Sequence, residues 1–226
     1  MFKQAKVEKI SKMLGLAANE VLEQLDPVDL EKIRKIDSII AVRAAYIAAT
    51  CGSRANYPLM KKWLSLCINI NEAADACHCA SYGSKEAILA GKKWLSFCKS
   101  IGQLKHVYNN TNNAVQPFAL KQLLSRCANY HEAKDVYFFL QKTDDDYQAM
   151  ENWLKFCRTA ASARVAHKSV PANKFSTESL VIKKQLMFCQ SIGEAKALYN
   201  SVPHNSHNTF YIEAERLIIR RMYELI

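Results

Sequence analysis

Two clusters of residues have the composition of a metal site. Cys77–Cys79 reads Cys-His-Cys, and Asp144–Asp146 offers three carboxylates to a divalent cation. Residues two apart on a helix diverge by roughly 200°, so the first cluster cannot converge on one ion, and no second pair stands at zinc spacing. The aspartates precede a predicted helix, whose N-terminus favours negative charge, so we expect them to cap that helix. We therefore predict structural roles for both clusters and neither a metal nor a cofactor.

The sequence shows no pattern typical of catalysis. It contains no HExxH motif and no glycine-rich phosphate loop, and its six histidines are scattered along the chain. No serine or cysteine nucleophile stands in a recognisable arrangement with a base. We therefore expect a protein that is not an enzyme.

Five cysteines recur at nearly constant spacing, with successive gaps of 31, 29, 30 and 32 residues. We call each of them the anchor of one copy of an internal repeat, copies one to five: Cys67, Cys98, Cys127, Cys157 and Cys189. Equivalent points of stacked helical hairpins lie roughly 10 Å apart, whereas a disulfide needs about 4.4–6.8 Å between Cα atoms. We predict small buried side chains in a reducing compartment.

The residues before each anchor predict an amphipathic helix, helix A. Apolar residues stand mainly eight, seven, four and three positions before the anchor, which is a helical period and not that of a strand. Position −4 carries Trp63, Trp94, Leu123 and Trp153, with Gln185 as the exception in copy five. This register makes the tryptophans core residues instead of a ladder for stacking bases.

The residues after each anchor predict a second helix, helix B, after a turn of two or three residues. Position +2 carries a preferred helix N-cap in every copy: Asn69, Ser100, Asn129, Thr159 and Ser191. Position +5 carries Glu or Gln in four copies, which is the spacing of a capping box. Small or aliphatic residues at +6 and +9 complete a buried face.

Tandem hairpins of this kind predict an all-α fold, a right-handed α-solenoid of about five to six helix-turn-helix repeats with a capping helix at each end. We expect an N-terminal helical cap at residues 1–29, tandem hairpins over residues 30–205, and a C-terminal capping helix at residues 206–226. The first hairpin of this series is degenerate, with Ile36 at the anchor position. No apolar run is long enough for a transmembrane helix.

Basic residues recur at three positions of the repeat, and the chain carries a net charge of +10. Positions −6 and −5 carry Lys61, Lys62, Lys92, Lys93, Lys121, Lys183 and Lys184, and position +7 carries Lys105, Lys134, Arg164 and Lys196. Stacked hairpins would align these residues as a stripe that a phosphate backbone or an acidic protein face can bind. The alternative is that they are the solvated faces of amphipathic helices.

The stretch Leu186–Pro203 resembles the short form of the pentatricopeptide repeat, with an aliphatic helix A, a short turn, Glu-Ala, an aromatic residue and Pro. Residues 93–109 and 123–139 are similar, and tetratricopeptide-like and Sel1-like repeats share most of these features. The resemblance implies binding of single-stranded RNA with one base per repeat. The base-reading position, nine before the anchor, departs from that pattern because four of its five residues lack a polar side chain: Pro58, Leu89, Phe118, Gln148 and Leu180.

These patterns favour a non-enzymatic scaffold that mediates protein–protein interaction by holding a protein or peptide in a solenoid groove. A nucleic-acid binder that uses the lysine stripe is the second hypothesis. A bacterial type IV secreted effector is the third, since such effectors resemble this basic helical chain with Glu213, Glu215, Glu224 and an apolar tail. The N-terminus lacks the apolar core of a secretory signal, so we expect a cytoplasmic protein, or one delivered to a host cytosol. The oligomeric state stays open.

Overall fold

The computed structural model describes residues 30–49, 53, 55–171, 173–202 and 209–226. All regular structure in these ranges is helical, which confirms the predicted all-α class. The thirteen helices of the described ranges are α1 Leu30–Lys35, α2 Ile39–Ala48, α3 Asn56–Leu66, α4 Ile70–Cys79, α5 Lys85–Phe97, α6 Ile101–Asn110, α7 Gln116–Arg126, α8 Tyr130–Leu140, α9 Asp146–Phe156, α10 Ala160–Lys168, α11 Phe175–Leu186, α12 Ile192–Ser201 and α13 Thr209–Glu224. The N-terminal cap predicted at residues 1–29 lies outside the described residues. In the part that is described, no helix is long and apolar enough to cross a membrane.

The described residues form two compact units, one up to Gln122 and one from Leu123, and the boundary falls inside helix α7. In the first unit, α3 packs against α1, α2 and α5, and α4 packs against α5. In the second unit, α8 packs against α9, α10 packs against α11, and α13 packs against both α11 and α12. Within each unit, therefore, helix B of one hairpin packs against helix A of the next.

In copies one to four helix A ends one residue before the anchor cysteine, as the sequence predicts, whereas in copy five α11 ends at Leu186, three residues before Cys189. Cys67, Cys98 and Cys157 are the C-cap residues of α3, α5 and α9. In four copies the anchor thiol donates to the carbonyl oxygen four residues earlier, at 3.3–3.6 Å. The last carbonyls of a helix have no partner within it, so a small buried thiol can satisfy one of them. All five anchors are buried free thiols, which confirms their predicted burial.

Helix B begins at the predicted N-cap in all five copies, where the side chain accepts a hydrogen bond from a backbone N–H of the first turn. Ser100 with Gln103, and Thr159 with Ser162, form complete capping boxes. In the other three copies the glutamate at +5 reaches one residue further back and accepts from the backbone N–H that precedes the N-cap, at 2.7 Å. Each helix B therefore starts with its first donors satisfied by local side chains.

The predicted core positions +6 and +9 of helix B are buried in every copy. Position +6 carries Ala73, Leu104, Ala133, Ala163 and Ala195, and position +9 carries Ala76, Val107, Val136, Ala166 and Leu198. The three tryptophans at −4 are at most 1% exposed, which confirms them as core residues. Trp63 packs against Tyr46, and Trp153 packs against Tyr137, so each indole contacts the helix B that precedes it.

Helices α1 and α2 form a further hairpin before copy one, with Ile36 between them. Ile33, Val42 and Ala45 are buried, and they stand at −3, +6 and +9 relative to Ile36. Ser38 occupies the N-cap of α2 but makes no side-chain cap hydrogen bond. This hairpin therefore keeps the apolar register of the repeat and lacks its polar cap.

The polar run at residues 109–116 and the stretch around Pro171 at residues 170–177 predict two loops between hairpins. Both loops are shorter in the structure, where helix α6 extends through Asn110, helix α7 begins at Gln116 and helix α11 begins at Phe175. The differences lie at helix ends, where sequence patterns locate a boundary only to within a few residues.

Candidate functional site

The lysines at position −6 keep their charge exposed: Lys61, Lys92, Lys121 and Lys183. Lys183 donates to Glu213 at 2.7 Å. No carboxylate of the described residues forms an ion pair with the other three lysines, which belong to the first unit. The ammonium of Lys92 lies 4.1 Å from the ring centroid of Phe118, a cation–π distance. Position −6 thus leaves three unpaired cations on the first unit.

The lysines at position −5 point toward the end of the preceding helix A. Lys62 donates to the backbone carbonyl of Arg34 at 2.8 Å. Burial raises the pKa of Cys67 to about 11, and the nearby charge of Lys93 partly offsets that rise. Burial also raises the pKa of Cys157, the anchor of copy four, and the charge of Lys184 partly offsets that rise. Because a helix C-terminus carries a partial negative charge, these half-buried lysines stabilise contacts between hairpins.

The four basic residues at position +7 have different surroundings. Lys105 and Lys134 are half-buried, and the ammonium of Lys134 lies 5.8 Å from the ring centroid of Phe138. Arg164 and Lys196 are exposed. Some residues of the predicted stripe are therefore exposed cations, some contact a neighbouring hairpin, and some contact aromatic rings.

The Cys77–Cys79 cluster lies against the core of the first unit. Cys77 and Cys79 are half-buried and pack on the apolar core, and burial raises the pKa of Cys77 to about 11. His78 stacks edge-on against Trp94, with ring centroids 5.3 Å apart. Within the described residues, no group of three or more His, Cys, Asp or Glu side chains is arranged to hold a metal ion.

The Asp144–Asp146 cluster stands at the start of α9, as the sequence predicts, and Asp146 has a further role there. Asp145 is the N-cap residue, although its side chain makes no cap hydrogen bond, and Asp146 lies in the first turn. Asp146 is only 4% exposed, and it accepts from Lys174 Nζ and from Thr177 Oγ1, each at 2.9 Å. Both donors belong to the following hairpin. Sequence spacing relates a side chain to its own helix and does not reveal contacts with the hairpin that packs beside it.

A groove of about 540 Å³ lies in the second unit between α10 and α12, with α11 as its floor. We call it the α10–α12 groove. One wall consists of Ala160, Arg164, His167 and Lys168. The other wall consists of Glu194, Ala197, Leu198 and Ser201. Residues spaced three and four apart share one face of a helix, so each wall extends along nearly the whole length of its helix.

The groove lies where copy five departs from the repeat at position −4. In copies one, two and four a tryptophan of helix A packs beside the preceding helix B. Helix α11 carries the smaller Gln185 at that position, and this residue lines the groove. Gln185 is only 7% exposed as a whole residue.

The carboxylates of the groove are already bound by the protein. Glu178 on the floor accepts from the hydroxyl of Tyr211 at 2.6 Å, and its other oxygen lies 3.4 Å from Nε2 of His167. Glu194 accepts from the backbone N–H of Gln190 at 2.7 Å. Arg164 and Lys168 are exposed on the wall and form no ion pair with a carboxylate of the described residues. Hydrogen bonds from neutral donors leave both carboxylates charged, so the groove combines two negative and two positive side chains.

The floor and one wall also present apolar surface, from Phe188, Leu198 and Ala197. A concave surface that combines apolar contacts with a few convergent polar groups is typical of a binding site. The sequence analysis included Arg164 among the candidate residues but missed the other groove residues. The sequence did contain a signal for this site, because Gln185 is the only polar residue in the otherwise apolar series at position −4.

No protein family, curated protein or solved structure matches this chain.

Proposed function

We propose that this chain is a non-enzymatic binding scaffold that holds a protein or peptide partner in the α10–α12 groove. In this proposal the hairpins of each unit stack in the manner of a right-handed α-solenoid. The packing of helix B on the following helix A within each unit supports that arrangement. Stacked hairpins suit such a role, since each helix pair adds one more row of side chains to a continuous surface.

The observation that carries the proposal is the α10–α12 groove itself. Its volume of about 540 Å³ lies within the range of roughly 300–1,000 Å³ found for ligand sites. It contains Phe188 beside Arg164, and aromatic residues and arginine are the types enriched at protein interfaces.

Photo-crosslinking tests the proposal. A benzoylphenylalanine at Ala197, which is exposed and lines the groove, should crosslink to a protein when the full chain is irradiated in extract of its source cells. Val165 on α10 supplies the matched control, because it is 42% exposed and does not line the groove. A specific protein captured from position 197 and not from position 165 supports the proposal. Capture of RNA alone at position 197 would refute it.

A second candidate function is binding of single-stranded RNA by the first unit. The observation that favours it is the set of exposed, unpaired lysines at −6: Lys61, Lys92 and Lys121. If all three contact phosphates, the triple change to Gln should reduce the slope of log K against log salt by about 2, at roughly 0.7 for each contact on a single strand. Fluorescence anisotropy with an oligouridine at several salt concentrations measures the slope. An unchanged slope would exclude these lysines from RNA binding.

A further inference from the structure

A pocket with three basic side chains lies in the first unit, between α1 and α3. It has a volume of about 350 Å³, and we call it the α1–α3 pocket. Arg34 of α1 lines it together with Lys61 and Lys62 of α3, and none of the described lining residues is acidic. Asp37 follows α1 along the chain, but it does not line the pocket and forms no ion pair with Arg34. The charged side chains that line the α1–α3 pocket are therefore all cations.

Most donors of these cations are unused in the described protein. Lys62 Nζ donates to the carbonyl oxygen of Arg34 at 2.8 Å, which holds this ammonium beside α1 and leaves its other N–H groups available. The ammonium of Lys61 lies 4.7 Å from the ring centroid of Tyr57. Neither Lys61 nor the guanidinium of Arg34 pairs with a carboxylate of the residues that the structure describes. Because like charges in one pocket repel each other, an anion that contacts all three is bound favourably.

The number of cations selects the kind of anion. A carboxylate and a phosphodiester each carry one negative charge, whereas a phosphate monoester carries about −1.5 to −2 at neutral pH, on three terminal oxygens. A guanidinium binds two oxygens of a phosphate at once, and an ammonium supplies further donors as a compact charge. Arg34 with two lysines therefore matches a phosphate monoester better than it matches either of the singly charged groups.

The other lining residues favour an amino-acid neighbour of the phosphate over a nucleotide base. Leu30, Ile33 and Pro58 are apolar and aliphatic, and Leu30 is 50% exposed. Tyr57 is the aromatic residue of the described lining, and the ammonium of Lys61 lies over its ring. That face of the ring is therefore not available for the stacking that bases require. Apolar side chains next to a phosphorylated residue can instead pack on Leu30 and Pro58.

We propose that the α1–α3 pocket binds a phosphorylated serine or threonine side chain of a protein partner. Arg34 and the two lysines bind the phosphate, and Leu30 and Pro58 contact the apolar residues next to it. Phosphorylation of the partner therefore switches this contact on. The inference goes beyond the proposed function of the α10–α12 groove, because it concerns the other unit and a different chemistry. A failed crosslink at position 197 would leave it standing.

Capture of peptides by the full-length chain tests the inference. The probe is a synthetic library of dodecapeptides, blocked at both ends, with phosphoserine or phosphothreonine at the centre and random residues elsewhere. Matched libraries carry serine, threonine or glutamate at the centre. Mass spectrometry of the bound peptides should show enrichment from the phosphorylated library, with apolar residues next to the phosphate. Enzymatic removal of the phosphate from a selected peptide should weaken its binding at least about tenfold, measured by fluorescence anisotropy.

Paired substitutions locate the site on the chain. Arg34→Gln combined with Lys61→Gln should weaken binding of a selected phosphopeptide at least about tenfold, because the phosphate loses two cationic partners. Lys92→Gln combined with Lys121→Gln is the matched control, since both lysines are exposed in the same unit, lie outside the pocket and remove the same charge. This control should leave the affinity nearly unchanged. Circular dichroism and melting temperature confirm that each variant is folded.

Other outcomes overturn the inference. Equal capture from the phosphorylated library and from the serine, threonine or glutamate libraries would show that the phosphate is not recognised. Equal weakening by the two pairs of substitutions would show general attraction between charges instead of a site. An oligouridine, or a vesicle of phosphatidylcholine and phosphatidic acid, that requires Arg34 and Lys61 for binding while no phosphopeptide binds would assign the pocket to nucleic acid or to a membrane and refute the inference.

Discussion

Thr177 donates a hydrogen bond from its hydroxyl to Oδ2 of Asp146 at 2.9 Å, between helices α11 and α9. The same relationship recurs one hairpin later, where Tyr211 donates to Glu178 at 2.6 Å. Asp146 and Glu178 both stand eleven residues before their anchors. An acidic side chain near the start of helix A thus accepts a hydroxyl from the next helix that packs against it. Because such a bond joins groups about 30 residues apart, it fixes how neighbouring hairpins pack.

We predict that Asp146→Ala destabilises the second unit by about 2–3 kcal/mol. The change leaves the buried hydroxyl of Thr177 without its acceptor and removes the partner of Lys174, and a buried group that loses its partner costs about 1–3 kcal/mol. Urea unfolding followed by circular dichroism measures the loss. Asp144→Ala is the control, because Asp144 is exposed, and it should change stability by less than about 0.5 kcal/mol. Equal effects of the two changes would contradict this account.

Gly91 packs directly against Val115 in the first unit. A Cβ added to Gly91 would lie 2.6 Å from both methyl groups of Val115, which is fully buried. We expect Gly91→Ala to destabilise the chain, since overpacking costs about 1–3 kcal/mol and exceeds the gain of about 1 kcal/mol in helix propensity. In a Val115→Ala background the same change should become stabilising. Thermal unfolding of the four variants of this cycle measures the coupling.

The control for that cycle is Gly102→Ala in α6. A Cβ at Gly102 would meet nothing closer than 3.9 Å, so alanine should raise stability by about 0.5 kcal/mol or more. Destabilisation at both glycines would show that helix geometry, and not contact with Val115, accounts for the effect at Gly91.

Two buried tyrosines predict a loss of stability at alkaline pH. Burial raises the pKa of Tyr137 to about 12, and it also raises the pKa of Tyr211, which is bonded to Glu178. A free tyrosine titrates near pH 10, so the folded chain retains these protons while the unfolded chain loses them. Their contribution to stability is therefore complete below about pH 10, and it falls as the pH rises from about 10 to 12, by at most about 1.4 kcal/mol per pH unit for each tyrosine.

Urea unfolding at a series of pH values tests this prediction. Tyr137→Phe with Tyr211→Phe should flatten the decline between about pH 10 and pH 12, because phenylalanine does not titrate. Tyr223→Phe is the control, since Tyr223 is 80% exposed, and it should leave the decline unchanged. If the double variant declines as steeply as wild type, other groups are responsible for the alkaline loss.

The thiols of Cys67, which is buried, and Cys77, which is half-buried, should be poorly reactive in the folded chain. The pKa values of Cys67 and Cys77 are raised to about 11 by burial, from an ordinary value of 9.0. The thiolate is the reactive form, so its fraction at pH 8 falls about 100-fold relative to the unfolded chain. Iodoacetamide labelling with peptide mapping, in buffer and in urea, measures the ratio for each cysteine. Labelling of Cys67 at the same rate in both conditions would contradict the assigned burial.

The stripe of basic residues illustrates what sequence periodicity can and cannot predict. The period correctly places Lys61 and Lys62 side by side on one helix. It does not reveal that Lys61 is exposed while Lys62 donates to the backbone of Arg34 in another helix. Adjacent residues on a helix differ by about 100° in direction, so one of them can face a neighbouring hairpin when the other faces water. The position of that neighbour is a property of packing.

The sequence by itself determined the all-α class, the end of helix A at the anchor cysteine in copies one to four, and the N-cap of each helix B. These features depend on contacts between residues three or four apart, which are close in space whenever the helix forms. Only the tertiary structure decided that Asp146 binds Lys174 and Thr177, and that Gln185 lines an open groove. Both depend on which hairpin packs beside which, and on how much space a side chain leaves between helices. Spacing along the chain carries neither kind of information.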